Sequence, residues 1–152
     1  MDKIWLKSYP PGVPEECPKP PFLSVRDLFE QAFAKHPGSA AYTNMGTTIS
    51  YSELDELSLQ FACYLQKKLG LMRGERAAIM LPNILQYPVA LCGIFRAGLV
   101  AVNVNPLYTA RELEHQLKDS GANVARALLI LVTPPAVVSP LILALTTRCS
   151  YP

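Results

Sequence analysis

Gly93-Ile94-Phe95-Arg96-Ala97-Gly98 spaces its two glycines as a phosphate-cradling P-loop does, but Leu99-Val100 stand where Lys and Ser/Thr would contact phosphate and metal. The segment also falls at the end of an apolar helical pattern, not between a strand and a helix, so it does not cradle phosphate. Glu112, Glu114 and His115 are the other group whose types suit acid–base work. Glu112 and His115 lie one helical turn apart on a polar face, which is the pattern of a solvated surface. Cys17, Cys63, Cys92 and Cys149 form no Cys-x-x-Cys pair, and His36 and His115 are the only histidines. That spacing gives neither a zinc site nor a disulfide framework, and it reads as free thiols in a reducing compartment. Gly-x-Gly-x-x-Gly, Gly-x-Ser-x-Gly and His-Glu-x-x-His are all missing.

The elements that would position these residues follow from periodicity. Six prolines between residues 8 and 23 predict an extended arm lying on a surface. Ser24 caps a helix whose face carries Val25, Leu28, Phe29, Ala32 and Phe33, and Pro37-Gly38 stops it. Ala40–Asn44 and Thr47–Tyr51 read as a hairpin turning at Met45-Gly46. Ser52-Glu53-Leu54-Asp55 resembles a capping box with Asp in the last place. It would open a long helix with Leu54, Leu57, Phe61, Leu65 and Leu69 buried, ending at Gly70 with Lys67-Lys68 as a solvated cap.

From Arg76 onward the rhythm is strand, helix, strand, helix, strand. The apolar runs are Ala77–Leu81, Leu99–Val104 and Val124–Val132. The intervening helices run from about Ile84 to Ala97, capped by Asn83, and from Thr109-x-x-Glu112 to about Lys118. Gly98 and Gly121 end them. Short connections between such units predict an α/β fold with βαβαβ parallel-sheet units, whose sheet must be covered on both faces.

The chain has 152 residues with a net charge of +2 from 14 Lys+Arg and 12 Asp+Glu. That balance excludes a nucleic-acid surface, and the aromatics are not interleaved with Lys and Arg as a stacking platform needs. Charged residues make up 17%, below the usual ~25%. The deficit is local: after Asp119 only Arg126 and Arg148 are charged. The uncharged stretch Ala127–Thr147 has nearly the length of a membrane span, but Pro134, Pro135 and Pro140 interrupt it. The first reading is an interrupted core segment or unpaired tail; a membrane-inserted segment and an interfacial element are the alternatives. The N-terminal residues hold no apolar stretch of signal-peptide length, which points to the cytoplasm.

Residues 78–122 carry a specific likeness. Ala78-Ile79-Met80-Leu81-Pro82-Asn83-Ile84-Leu85-Gln86-Tyr87-Pro88, Arg96-Ala97-Gly98 and Val102-Asn103-Val104-Asn105-Pro106-Leu107-Tyr108-Thr109-Ala110-Arg111-Glu112-Leu113-Glu114-His115-Gln116-Leu117 closely resemble bacterial long-chain fatty acid–CoA ligases. These belong to the AMP-forming, adenylate-forming superfamily. Trp5-Leu6, Tyr9-Pro10 and Tyr42-Thr43-Asn44-Met45-Gly46 fit as well, so the likeness runs from residue 1 to about 122.

The resemblance implies an enzyme that uses Mg·ATP to convert a fatty acid to an acyl-adenylate and then passes the acyl group to CoA. It implies a fold in which this chain is the opening part of a large N-terminal α/β domain. The domain division is then 1–23, a Pro-rich arm; 24–122, a partial AMP-binding domain; and 123–152, an atypical apolar tail of the kind a reading-frame shift produces. The phosphate loop, the nucleotide contacts and the lysine of the C-terminal domain lie downstream in the family. No catalytic, cofactor-binding or metal-binding residue is therefore assigned here. Asn83, Asn105 and Tyr108 match strongly characteristic positions. Fatty acid, ATP, Mg and CoA are the expected ligands of the whole enzyme, in the cytoplasm or peripheral on the inner membrane. The 152-residue chain alone is expected to be inactive. The alternative is a small non-catalytic protein whose apolar tail binds a membrane or partner.

Overall fold

A computed structural model describes residues 2–122. The Pro-rich arm is exposed and holds one 3-10 turn, Ile4–Ser8, tied back by Lys3 Nζ to Glu15 Oε1 at 2.8 Å. Ser24 caps α1 (Val25–Lys35), its hydroxyl accepting from the Asp27 amide. Within the expected apolar face only Phe33 is buried; Val25 and Leu28 face solvent.

The hairpin forms as expected from β1 (Ala40–Asn44) and β2 (Thr47–Ser50). Met45 and Gly46 both have positive φ, 49° and 79°, which a two-residue primed turn requires. The second strand stops one residue short of the sequence reading, because Tyr51 already starts α2 (Tyr51–Cys63).

The cap of α2 is a correction. Ser50 is the N-cap, not Ser52, and Glu53 reaches back to the Ser50 amide at 2.7 Å. A glutamate at N3 is long enough to close that reciprocal pair. The helix then widens into a π-helical turn, Tyr64–Lys68, that keeps Leu65 fully buried, and Gly70 exits with φ 65°.

β3 (Arg76–Ile79) and β4 (Val100–Asn103) pair in parallel, from Arg76 opposite Val100 to Ile79 opposite Asn103. Between them runs α3 (Gln86–Arg96). Here too the expected cap is corrected: Leu85 stands at the N-cap without a side-chain bond, and Asn83 does not cap. Pro88 has no N–H and is tolerated only in the first turn, so the helix starts at Gln86, not Ile84, and Asn83 lies before its cap position. The backbone carbonyl of Asn83 instead accepts from Asn44 Nδ2 at 3.0 Å, fastening this loop to the hairpin.

Thr109 and Glu112 form the expected capping box of α4 (Ala110–Ser120), which ends at Gly121 with φ 64°. Ser120, not Lys118, is its last residue.

Alternation along the strands sorts the core into layers. Ala77 and Ile79 pack with Phe61, Ala62 and Leu65 of α2 and Ala90 and Ile94 of α3. Ala78 points to the other face, where Val104, Ala122, Leu113 and Leu117 cover it. A third cluster, of Phe33, Ile49, Leu54, Leu85 and Val89, joins α1 and the hairpin to α2 and α3. The described residues thus hold a βαβ unit followed by α4; the third apolar run and the rest of the tail, 123–152, lie outside them.

Candidate functional site

Parallel pairing brings the loops that follow β3 and β4 to one end of the sheet. In open α/β sheets, that C-terminal end is where ligands bind. Leu81-Pro82-Asn83 leaves β3 there, and Val104-Asn105-Pro106-Leu107-Tyr108 leaves β4. The three characteristic residues Asn83, Asn105 and Tyr108 therefore share this end.

Each asparagine has local work. Asn83 holds the hairpin through its carbonyl, while Asn105 Oδ1 accepts from the Leu107 amide at 3.0 Å and turns the chain after the strand. Tyr108 is partly exposed and Leu107 almost wholly so.

A network absent from the sequence reading centres on Asn103. Tyr87 Oη donates to Asn103 Oδ1 at 3.1 Å, and Gln116 Nε2 donates to the Asn103 carbonyl at 2.7 Å. It joins α3, β4 and α4 at the same end. Its only sequence signal was Asn103 as the one polar residue in the apolar run Leu99–Val104.

The acid–base candidates disperse. Glu112 is committed to Thr109, whose hydroxyl and amide hold its carboxyl below the ordinary range. Glu114 pairs with Lys118 at 2.5 Å, and His115 is exposed. Gly93 is buried inside α3, with Phe61 and the Ser58 carbonyl against it, and Gly98 terminates the helix region. The P-loop spacing is thus a packing feature.

An ion-pair cluster on the buried Arg96 lies away from the sheet end. Arg96, in the last turn of α3, bonds the Asp55 carboxylate, the Asp55 carbonyl at 2.7 Å and Ser58 Oγ at 3.2 Å. Its Nε lies 3.5 Å from Glu30 Oε1 without hydrogen-bond geometry. Three helices meet on this one side chain. Cys92, on the same helix, has its thiol pushed up to about 11 by burial, so it is a poor nucleophile.

Among the described residues, no three of His, Cys, Asp and Glu are grouped to hold a metal ion, and the N-termini of α2 and α4 are already occupied by Glu53 and Glu112. No helix of the described residues is long and apolar enough to cross a membrane.

Comparison with known proteins decides the family. Residues 29–142 match the family described as AMP-binding enzyme. The chain belongs to that family. Among curated relatives, the long-chain-fatty-acid–CoA ligase of Escherichia coli O6:H1 is 54% identical over 123 residues, covering 81% of this chain and 22% of that protein. The ligase of the same name from Bacillus subtilis (strain 168) is 35% identical over 122 residues, 80% of this chain and 21% of that one.

Solved structures of the fold include the Klebsiella oxytoca NpsA N-terminal subdomain, with a TM-score of 0.63 and 26% identity over 66% of this chain and 26% of that chain. A benzoate CoA ligase from Burkholderia xenovorans LB400 gives 0.59 and 28% over 64% and 20%. This family member spans about a fifth of the length of the curated relatives it matches.

Proposed function

We propose that this chain is the opening segment of a long-chain fatty acid–CoA ligase. The identity of 54% over 123 residues with a relative of that name carries the reading. The whole enzyme would join ATP and a fatty acid into an acyl-adenylate, release pyrophosphate and transfer the acyl group to CoA. ATP, Mg and CoA belong to that whole. Residues 24–122 form the partial AMP-binding domain, with 1–23 as a surface arm and 123–152 as the atypical tail.

What this segment contributes is scaffold. It supplies the first two parallel strands, closes the ends of α2 and α4 against outside anions, and presents the Asn83, Asn103–Asn105 and Tyr108 loops at the end where a ligand would lie. The 152-residue chain alone is inactive in this reading, because it spans about a fifth of the length of the ligases it matches. A cytoplasmic enzyme peripheral to the inner membrane suits the reading, because long-chain fatty acids partition into lipid.

The test is acyl-CoA formation from a long-chain fatty acid, ATP and CoA. The isolated chain should form none, whereas residues 1–122 grafted onto the downstream part of the Escherichia coli relative should restore it. Activity of the isolated chain would overturn the inactive-segment reading.

A further inference from the structure

The connection that leaves β4 is tied together within itself. Tyr108 N donates to the Asn105 carbonyl at 3.1 Å, closing a turn with Pro106 at its second position. Asn105 Oδ1 accepts from the Leu107 amide inside that turn, and the capping box of α4 locks Thr109 to Glu112. A turn bonded in this way moves as one body. It carries Leu107, 87% exposed, and Tyr108, 37% exposed.

Asn103, the last residue of β4, sets the direction of that body. Val104 N donates to the Ile79 carbonyl, so the alternation of a parallel ladder turns the Asn103 carbonyl away from β3. Gln116 Nε2 donates to that carbonyl from α4, and Tyr87 Oη donates to the Asn103 side chain from α3. Both polar groups of one strand-end residue are thus held by side chains from two flanking helices.

Packing alone does not account for Gln116. Its Oε1 is buried and has no hydrogen-bond partner among the described residues. A buried acceptor left unpaired costs stability, and an apolar side chain of similar size would fill the space without that cost. What the glutamine adds is the bond from Nε2 to Asn103.

We propose that Gln116 and Tyr87 are positioning residues that act through Asn103 to aim the Asn105–Tyr108 turn at the ligand end of the sheet. The reaction that this turn serves rests on the ligase reading; the aiming itself does not.

The test replaces Gln116 by a side chain of similar length that cannot donate. In the full 152-residue chain, NMR order parameters of the Leu107 and Tyr108 amides should be near 0.85, roughly the value of rigid backbone. Gln116→Met should lower both below about 0.6, while Ala101 in β4 and Leu117 in α4 stay rigid. The urea midpoint should not fall. Unchanged order parameters in the turn, or a loss spread equally over β4 and α4, would overturn the inference. Tyr87→Phe removes one hydroxyl and should loosen the same two amides, so it decides if Gln116→Met fails to fold.

The second readout is acyl-CoA formation by residues 1–122 grafted onto the downstream part of the Escherichia coli relative. Gln116→Met in that chimera should lower kcat/KM about tenfold at an unchanged urea midpoint, as misplaced contacts do. Unaltered kinetics beside a loosened turn would overturn the positioning role. An inactive unsubstituted chimera would count against the ligase reading, and the order parameters would then decide the aiming.

Discussion

Arg96 and Asp55 are joined twice: the guanidinium bonds both the carboxylate and the backbone carbonyl of Asp55, 41 residues earlier in the chain. The same guanidinium lies over the rings of Phe33 at 5.3 Å and Phe29 at 5.9 Å. Its side chain is only 8% exposed, whereas that of Asp55 is 48% exposed. Arg96→Met should therefore cost about 2–3 kcal/mol in urea unfolding, below the range for fully buried pairs because the carboxylate can turn to water. Arg96→Lys should not restore the loss, since an ammonium cannot reproduce the planar fork. A loss under about 0.5 kcal/mol would show that the cluster does not fasten the three helices.

Gly93 is a second fastening point. A Cβ there would stand 2.7 Å from Phe61 Cδ1 and 3.0 Å from the Ser58 carbonyl oxygen, and that oxygen is backbone and cannot swing away. Overpacking of about 1–3 kcal/mol outweighs the gain of up to about 1 kcal/mol in helix propensity. Gly93→Ala should lower the urea midpoint. Gly38→Ala, where a Cβ meets nothing within 4 Å, should leave it nearly unchanged.

The two capping boxes set a dependence on acid. Glu53 and Glu112 are both held below the ordinary 4.5, Glu53 first by the Ser50 amide and Glu112 first by the Thr109 hydroxyl. A depressed carboxylate stabilises the fold above its unfolded value, and that contribution is lost as pH falls through the lower folded value. The urea midpoint should thus drop on acidification below 4.5. Combining Glu53→Gln with Glu112→Gln should flatten the drop; an equally steep one would place the titration elsewhere.

Thiol reactivity should separate the cysteines. Cys17 is exposed, Cys63 is buried, and the Cys92 thiol is raised to about 11. Among the three described cysteines, iodoacetamide at neutral pH should label Cys17 first and Cys92 far more slowly, as read by peptide mass spectrometry. Equal rates would mean that the seat of Cys92 between α3 and the hairpin opens readily.

Local signals in the sequence were sufficient for α1, the hairpin and α4, each specified by a cap or turn within a few residues. Two caps were misplaced for a physical reason. Ser50-x-x-Glu53 and Ser52-x-x-Asp55 overlap, and the longer glutamate decides. Asn83 does not cap because α3 begins only at Gln86, where Pro88 falls within the first turn. The π turn at Tyr64–Lys68 and the burial of Arg96 arise from packing between helices, which periodicity does not encode. The Asn83, Asn105 and Tyr108 end of the sheet was legible as likeness; the Tyr87–Asn103–Gln116 bonds needed three elements placed together.

The most direct measurement is fatty-acid-dependent ATP–pyrophosphate exchange by a chimera in which residues 1–122 replace the matching segment of the Escherichia coli relative. On the proposed scaffold role, the chimera should retain exchange within about tenfold of its parent, roughly 1.4 kcal/mol in the barrier. The isolated 152-residue chain should show none. A folded chimera without exchange, or exchange by the isolated chain, would contradict the account.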